Sequence, residues 1–410
     1  MFLSKTKCTY LICFLWMNFC MISCAQTNNT TDKKETFISK PIKTGADQIH
    51  NYLPKLYHKN IAIVANQTSV INLNINDAVK KTIHLVDFLH GQEKIKIKNV
   101  FAPEHGFRGK ADAGETIIDG VDTKTGIPLI SLYGKNKKPK QEQLQDIDIV
   151  VFDIQDVGAR FYTYISTLHY VMEACAELNI PLIVLDRPNP NGHYIDGPVL
   201  EPQHKSFVGM HPVPIVYGMT IGEYGKMING ENWLKNKVTC NLSVIPLENY
   251  THKTKYNLPI KPSPNLPNAN SINLYPSLCF FEGTSVSAGR GTNKQFQIYG
   301  APSLDLKAYS FTPTANEGAK YPKHQNKLCY GEDLSESAYQ NQINLKWLIK
   351  AYKHSSEKEK FFNNFLVKLA GTESLQKQIE SGISENEIKK SWQQGIDDFK
   401  AIREKYLIYK

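Results

Sequence analysis

The sequence predicts an α/β protein, a mostly parallel sheet wrapped by helices and joined to a second, smaller domain. Three observations predict it. Short apolar runs at 61–65, 128–132, 147–153 and 181–185 and an alternating apolar–polar run at 95–101 read as strands, several of them apolar on both faces as in a buried parallel sheet. Helical spacing of apolar residues lies between them, at 77–89 and again through Ile165, Leu168, Met172, Cys175 and Leu178, and such alternation marks a sheet covered by helices. Finally, 410 residues suffice for a large core and a further domain, and a content of 41% hydrophobic and 21% charged residues is ordinary for a globular chain.

The elements follow in order. Lys5 and Lys7 precede an apolar run from Tyr10 to Ile22, the layout of a secretory signal and too short for a membrane span. Met21-Ile-Ser-Cys24 resembles a bacterial lipobox, with Met21 where Leu is usual. Residues 1–24 are therefore expected to be a lipoprotein-type signal with lipid on Cys24; the alternative is cleavage near Ala25 without lipid. Residues 25–40 are rich in Thr, Asn and Lys and read as a flexible tether. The expected address is a bacterial envelope, with the body lipid-anchored, facing the periplasm and touching the membrane through lipid alone.

A first domain is expected over 41–255 and a second over 256–410. The strand at 95–101 runs into Pro103, which cannot donate to a sheet ladder, and then into Glu104 and His105. Gly106 and Gly109 let the backbone turn there. The next strands end at Tyr133-Gly134, at Asp153 and at Asp186-Arg187. Residues 258–303 are rich in Pro, Asn, Gly and Ser without a clear period, and read as a long irregular, functional segment. The tail returns to helix at 343–352, 375–380 and 384–406. The last opens on the capping-box pattern Ser384-Glu-Asn-Glu387 and presents Ile388, Trp392, Ile396 and Phe399, read as core of the smaller domain.

Several function classes are disfavoured. The net charge of +9 is scattered, and no basic run carries the aromatic interleaving of a nucleic-acid site. Cys175, Cys240, Cys279 and Cys329 are widely spaced and read as four buried thiols. No GxGxxG follows the first strand, so no dinucleotide cofactor is expected, and no GxSxG elbow appears. His105, Asp153, Asp156 and His211 are the residues that would ligate zinc, but no HExxH-type pairing supports a metal.

What remains is polar chemistry at strand ends. Glu104 and His105, Asp153 and Asp156, and Asp186 to Asn189 all fall at carboxyl ends, where open α/β sheets bind ligands. Glu115 lies on the loop after Glu104, and Arg160, Tyr162 and Tyr164 follow Asp156. Each has a bland alternative: a cap for Asp153, a local ion pair for Asp186 and Arg187, ordinary packing for the tyrosines.

These residues sit in longer motifs. Phe101-Ala-Pro-Glu-His-Gly-Phe-Arg-Gly109, Ala113-Gly-Glu115, Phe152-Asp-Ile-Gln-Asp-Val-Gly-Ala-Arg-Phe-Tyr-Thr-Tyr164, Leu185-Asp-Arg-Pro-Asn-Pro190, Pro262-Ser-Pro-Asn265, Phe281-Glu-Gly-Thr284 and Gly289-Arg-Gly-Thr292 resemble one bacterial family, the exo-β-N-acetylmuramidases. The resemblance runs from about Ile61 to Lys410. It implies a Rossmann-like domain and a smaller α/β auxiliary domain with the site in the cleft between them. It implies release of terminal β-linked N-acetylmuramic acid from the non-reducing end of peptidoglycan fragments, with no cofactor. Glu104 is then the catalytic acid and His105 its orienting neighbour. The second carboxylate would come from Asp153, Asp156 or Glu115, unless the substrate's own N-acetyl group acts. Arg160 and Arg290 are candidates to fork the lactyl carboxylate, Tyr162 and Tyr164 to stack on the sugar, and Asn265 and Glu282 to bind substrate. The chain departs from the family at Tyr217, where His is frequent, and at Gln295, where Pro is frequent. Two other readings compete: a non-catalytic envelope lipoprotein that binds muropeptides in the same cleft, and a metal-dependent hydrolase. The sequence leaves the oligomeric state open.

Overall fold

The computed structural model of the chain describes residues 40–76, 79–108 and 119–410. The signal, Cys24, the tether through residue 39 and Glu115 lie outside the described residues. Residues 41–410 form one compact unit.

The main sheet is built from β1 (Lys59–Ala65), β4 (Ile95–Ala102), β5 (Gly120–Val121), β6 (Pro128–Ser131), β7 (Ile149–Asp153), β8 (Leu182–Leu185) and β9 (Leu242–Ile245), with β2 (Val70–Asn76) and β3 (Val79–His84) forming a separate hairpin. The strand order is β5-β6-β4-β1-β7-β8-β9, parallel throughout except for the antiparallel edge pair β5–β6. Both faces are covered, which is why β8 is apolar throughout and β1 and β7 carry the unbroken apolar runs 61–65 and 149–152. Ala62, Val64, Val150, Phe152, Leu182 and Val184 pack into one core. Their alternating neighbours Ile61, Ile63, Val151, Ile183 and Leu185 pack into the other. Helices α1 (Ile49–Leu56) and α2 (Leu85–His90) cover the second face, and α3 (Tyr164–Glu177) and α4 (Ile221–Gly230) the first. The result is the expected three-layer α/β arrangement.

The smaller part carries α5 (Ala269–Leu278), a 3-10 turn (Cys279–Gly283) and an antiparallel sheet of β10 (Ile298–Ala301), β11 (Tyr309–Phe311) and β12 (Cys329–Asp333), followed by α6 (Lys346–Lys353), α7 (Phe365–Ala370), α8 (Ser374–Glu380) and α9 (Glu385–Glu404).

Two expectations are corrected. The spacing at 77–89 belongs to no single helix: β3 pairs with β2 as far as His84, and only α2 follows. Alternation within β3 and a short helical turn together mimic a 3.6 period. The stretch 258–303 is not irregular throughout, because α5 crosses it. Every residue of α5 from Ser271 to Leu278 is buried, so no polar face marks a period. Pro276 lies inside α5 and cannot bond back to Ile272; Asn191 Nδ2 donates to the Ile272 carbonyl instead, at 3.0 Å. Helix α9 buries the four residues foreseen and begins on the Ser384 capping box, and it bonds both halves of the chain: Glu385 accepts from the Leu345 amide at 2.8 Å and Gln378 donates to Ser391 at 3.2 Å. Lys389 pairs with Asp196 at 3.3 Å, Arg403 Nε donates to the Gly218 carbonyl at 3.0 Å, and just beyond the helix Tyr406 donates to Glu231 at 2.6 Å.

Candidate active site

Chain order reverses beside β1, which lies between β4 and β7. At such a switch point two loops leave in opposite directions and open a crevice at the carboxyl ends of the strands. Asn66 follows β1, Glu104 follows β4, and the run leading into α3 follows β7. A pocket of about 270 Å³ lies there, with walls that include Glu104, His105, Tyr162, Thr163, Tyr164, Asn265, Tyr275, Glu282, Arg290 and Phe296.

Glu104 sits where the strand pattern placed it, half-buried, on a turn closed by the Gly106 amide donating to the Pro103 carbonyl at 3.0 Å. The turn is tight: His105 has φ 70° and Gly106 φ 74°. A non-glycine residue in the left-handed region costs energy and persists only where the surroundings hold it. His105 is buried and lines the pocket beside Glu104. Thr163 Oγ1 donates to Glu104 Oε2 at 2.7 Å.

Across the pocket, Arg290 Nε donates to Glu282 Oε1 at 3.0 Å. The guanidinium also lies 5.1 Å from the centre of the Phe296 ring. Burial opposes ionisation of Glu282, but the Arg290 and Lys323 cations outweigh it and hold its carboxyl below the usual range. Gly289 and Gly291, at φ 80° and 79°, carry Arg290 between them, and a Cβ on Gly291 would meet Pro322 at 2.6 Å. The Gly-Arg-Gly run is therefore a device for presenting one guanidinium.

Other sequence candidates have different places. Arg160 is fully buried and outside the pocket wall; its guanidinium donates to the carbonyls of Pro198, Val213, Leu369 and Ala370 at 2.6–3.0 Å. It braces loops and cannot fork a substrate carboxylate. Asp153 is fully buried against Arg187. Asp156 accepts from the Tyr217 hydroxyl and, at 2.7 Å, from the Gly158 amide, and burial pushes its carboxyl up to about 6. Neither aspartate lines the pocket. The strand-end cluster is thus split: its Asp153 and Arg187 members neutralise one another. The four zinc candidates also scatter, since His211 bonds His169 and Tyr224, each at 3.0 Å. Cys175, Cys240, Cys279 and Cys329 are buried free thiols.

Tyr162 and Tyr164 do line the pocket, but as its floor. They are only 7% and 1% exposed, meet edge-to-face at 4.8 Å, and both donate to the Pro262 carbonyl, at 3.0 and 3.3 Å. Buried rings of this kind cannot offer a face to a sugar. The accessible aromatic wall is Tyr133, Phe207 and Phe365, the last 37% exposed. Asn265 donates through Nδ2 to the Gly318 carbonyl at 2.6 Å, and its Oδ1 has no hydrogen-bond partner among the described residues.

Family models for the N-terminal and C-terminal parts of the exo-β-N-acetylmuramidase NamZ match residues 61–270 and 273–409. The chain belongs to the exo-β-N-acetylmuramidase family. The peptidoglycan β-N-acetylmuramidase NamZ of Bacillus subtilis is 40% identical over 409 residues, covering 92% of this chain and 94% of that protein. Two crystal structures of DUF1343 family proteins from Bacteroides fragilis are similar. One is 45% identical with a TM-score of 0.81 and the other 28% identical with a TM-score of 0.73; each match covers 90% of this chain and 99% of the other.

In this exo-β-N-acetylmuramidase family member the departure at Tyr217 lies behind the pocket, on Asp156, and Gln295 adjoins the pocket residue Phe296. Sequence reasoning missed Thr163, Tyr133 and Phe207. Thr163 had a usable signal: it stands between two tyrosines already singled out and directly before a helical period. Phe207 had none, because it comes from a loop remote in sequence.

Proposed function

We propose that this chain is an exo-acting glycoside hydrolase that releases terminal β-linked N-acetylmuramic acid from the non-reducing end of peptidoglycan fragments. The observation that carries this reading is the position of Glu104, a carboxyl at the switch-point pocket of a chain that belongs to this family. Glycosidic cleavage needs an acid to protonate the leaving oxygen, and Glu104 supplies it. With Asp153 and Asp156 engaged elsewhere, the second group is Glu115 or the substrate's own N-acetyl oxygen. An unchanged rate in Glu115→Gln would favour the latter.

Arg290 recognises the lactyl carboxylate that sets muramic acid apart, with Glu282 holding the guanidinium in place. The unpartnered Asn265 Oδ1 is an acceptor for the acetamido N–H, and Tyr133, Phe207 and Phe365 supply the apolar face. The Met21-Ile-Ser-Cys24 segment supports lipidation at Cys24 and an envelope location; loss of fatty-acid labelling in Cys24→Ser tests both.

The test uses the full chain with an N-acetylmuramic acid–N-acetylglucosamine disaccharide. Free N-acetylmuramic acid is expected from the parent and not from Glu104→Gln. No release by either protein overturns the reading.

A further inference from the structure

We propose that Thr163 is a positioning residue that holds Glu104 in its working orientation. The inference rests on Glu104 acting as the acid. Thr163 occupies the N-cap of α3, where a threonine hydroxyl ordinarily accepts from an amide of the first helical turn. Here it makes no such bond. It donates to Glu104 Oε2 at 2.7 Å instead. The hydroxyl is diverted from its own helix to a carboxylate fifty-nine residues away.

The base of this brace is rigid. Thr163 is 7% exposed, and its carbonyl accepts from the Ser166 and Thr167 amides, both at 3.0 Å. The next residue, Tyr164, accepts from Asn66 Nδ2 at 2.9 Å and donates to the Pro262 carbonyl at 3.3 Å. Thr163 is thereby tied to the end of β1 and to the loop before α5. Glu104, by contrast, rides on a short turn with His105 at φ 70°. The brace joins the carboxylate on that turn to the start of α3.

The chemistry of a hydroxyl suits the task. It donates to a carboxylate and accepts from a carboxylic acid. An acid that gives up a proton to the leaving oxygen and later recovers it needs a partner that follows both states. A lysine or arginine at this position would favour the ionised state alone.

The experiment compares Thr163→Ala, Thr163→Val and Thr163→Ser with the parent and Glu104→Gln, measuring kcat and KM for muramic acid release and the unfolding temperature. Ala and Val are expected to lower kcat about 10- to 100-fold with KM within about twofold, since small misplacements of a catalytic group cost that much. Ser is expected to restore kcat to within about threefold. Parent-like kcat in Ala, or Ser as impaired as Ala, overturns the proposal, because the hydroxyl would then be irrelevant or the methyl decisive. Should Val fail to fold, the Ala–Ser pair still decides. Full activity in Glu104→Gln, or none in the parent, overturns the reading of Glu104 and the brace with it. An inactive Glu104→Gln beside a normal Thr163→Ala overturns the brace alone.

Discussion

Arg187 grips Asp153 with two nitrogens, Nε at 2.6 Å and Nη2 at 2.9 Å, and both side chains are buried away from the pocket. The pair joins the ends of β7 and β8, and Nη2 also donates to the Val70 carbonyl at 2.9 Å, tying in the β2–β3 hairpin. Removing one member leaves a buried charge uncompensated, which costs about 3–5 kcal/mol. Arg187→Ala and Asp153→Ala are each expected to lower the unfolding temperature by several degrees. A variant that keeps the parent's thermal stability but loses activity would return Asp153 to the list of catalytic candidates.

Arg160 offers a second stability prediction. Its four carbonyl partners come from three separate segments of the chain. Arg160→Met keeps much of the volume and removes every donor, at a cost on the order of 3 kcal/mol. The denaturant midpoint should fall, while KM for a muramic acid substrate, measured well below the transition, should stay within about twofold.

Arg290 behaves in the opposite way. If it reads the lactyl carboxylate as proposed, truncating it removes a charge-assisted hydrogen bond worth about 1.5–3 kcal/mol. Arg290→Ala should therefore raise KM about 10- to 100-fold for an N-acetylmuramic acid substrate. A matched substrate without the lactyl group should be affected little in the same assay. Equal losses on both substrates would show that Arg290 supports the pocket rather than reading the carboxylate.

Asp156 sets a pH dependence whose sign can be worked out. Burial pushes its carboxyl up to about 6, from an ordinary 3.8. The folded state then holds the proton more tightly than the unfolded one, so this residue's contribution falls as pH rises from about 4 and is fully lost above about 6. Two units correspond to about 3 kcal/mol. Asp156→Asn removes the titration, so urea unfolding should show the variant gaining on the parent by up to that amount between pH 4 and pH 7. A stability difference independent of pH would refute the assignment.

Much of the fold was legible because burial on both faces writes itself into composition. Strands β1, β4, β6, β7 and β8 and helix α3 lie close to where apolar runs and helical spacing put them. Glu104 was legible for a local reason: Pro103 and Gly106 bracket the end of β4. The β2–β3 hairpin was misread because its short strands and α2 share a window in which alternation passes for a helical period. Helix α5 was missed because a helix buried on every side has no polar face to define one.

The sequence by itself determined the class of fold, the strand end that bears Glu104 and the glycine-flanked presentation of Arg290, since each depends on neighbours within a few residues. Only the tertiary structure decided which polar residues face the pocket. Asp153, Asp156 and Arg160 carry the same side chains as catalytic or binding groups, yet their partners Arg187, Tyr217 and the Leu369 and Ala370 carbonyls arrive from 34 to 210 residues away. A buried charge must be paired, and a buried donor must find an acceptor. Those partners, brought in by folding, engage Asp153, Asp156 and Arg160 outside the pocket wall, which Glu104, Thr163 and Arg290 line.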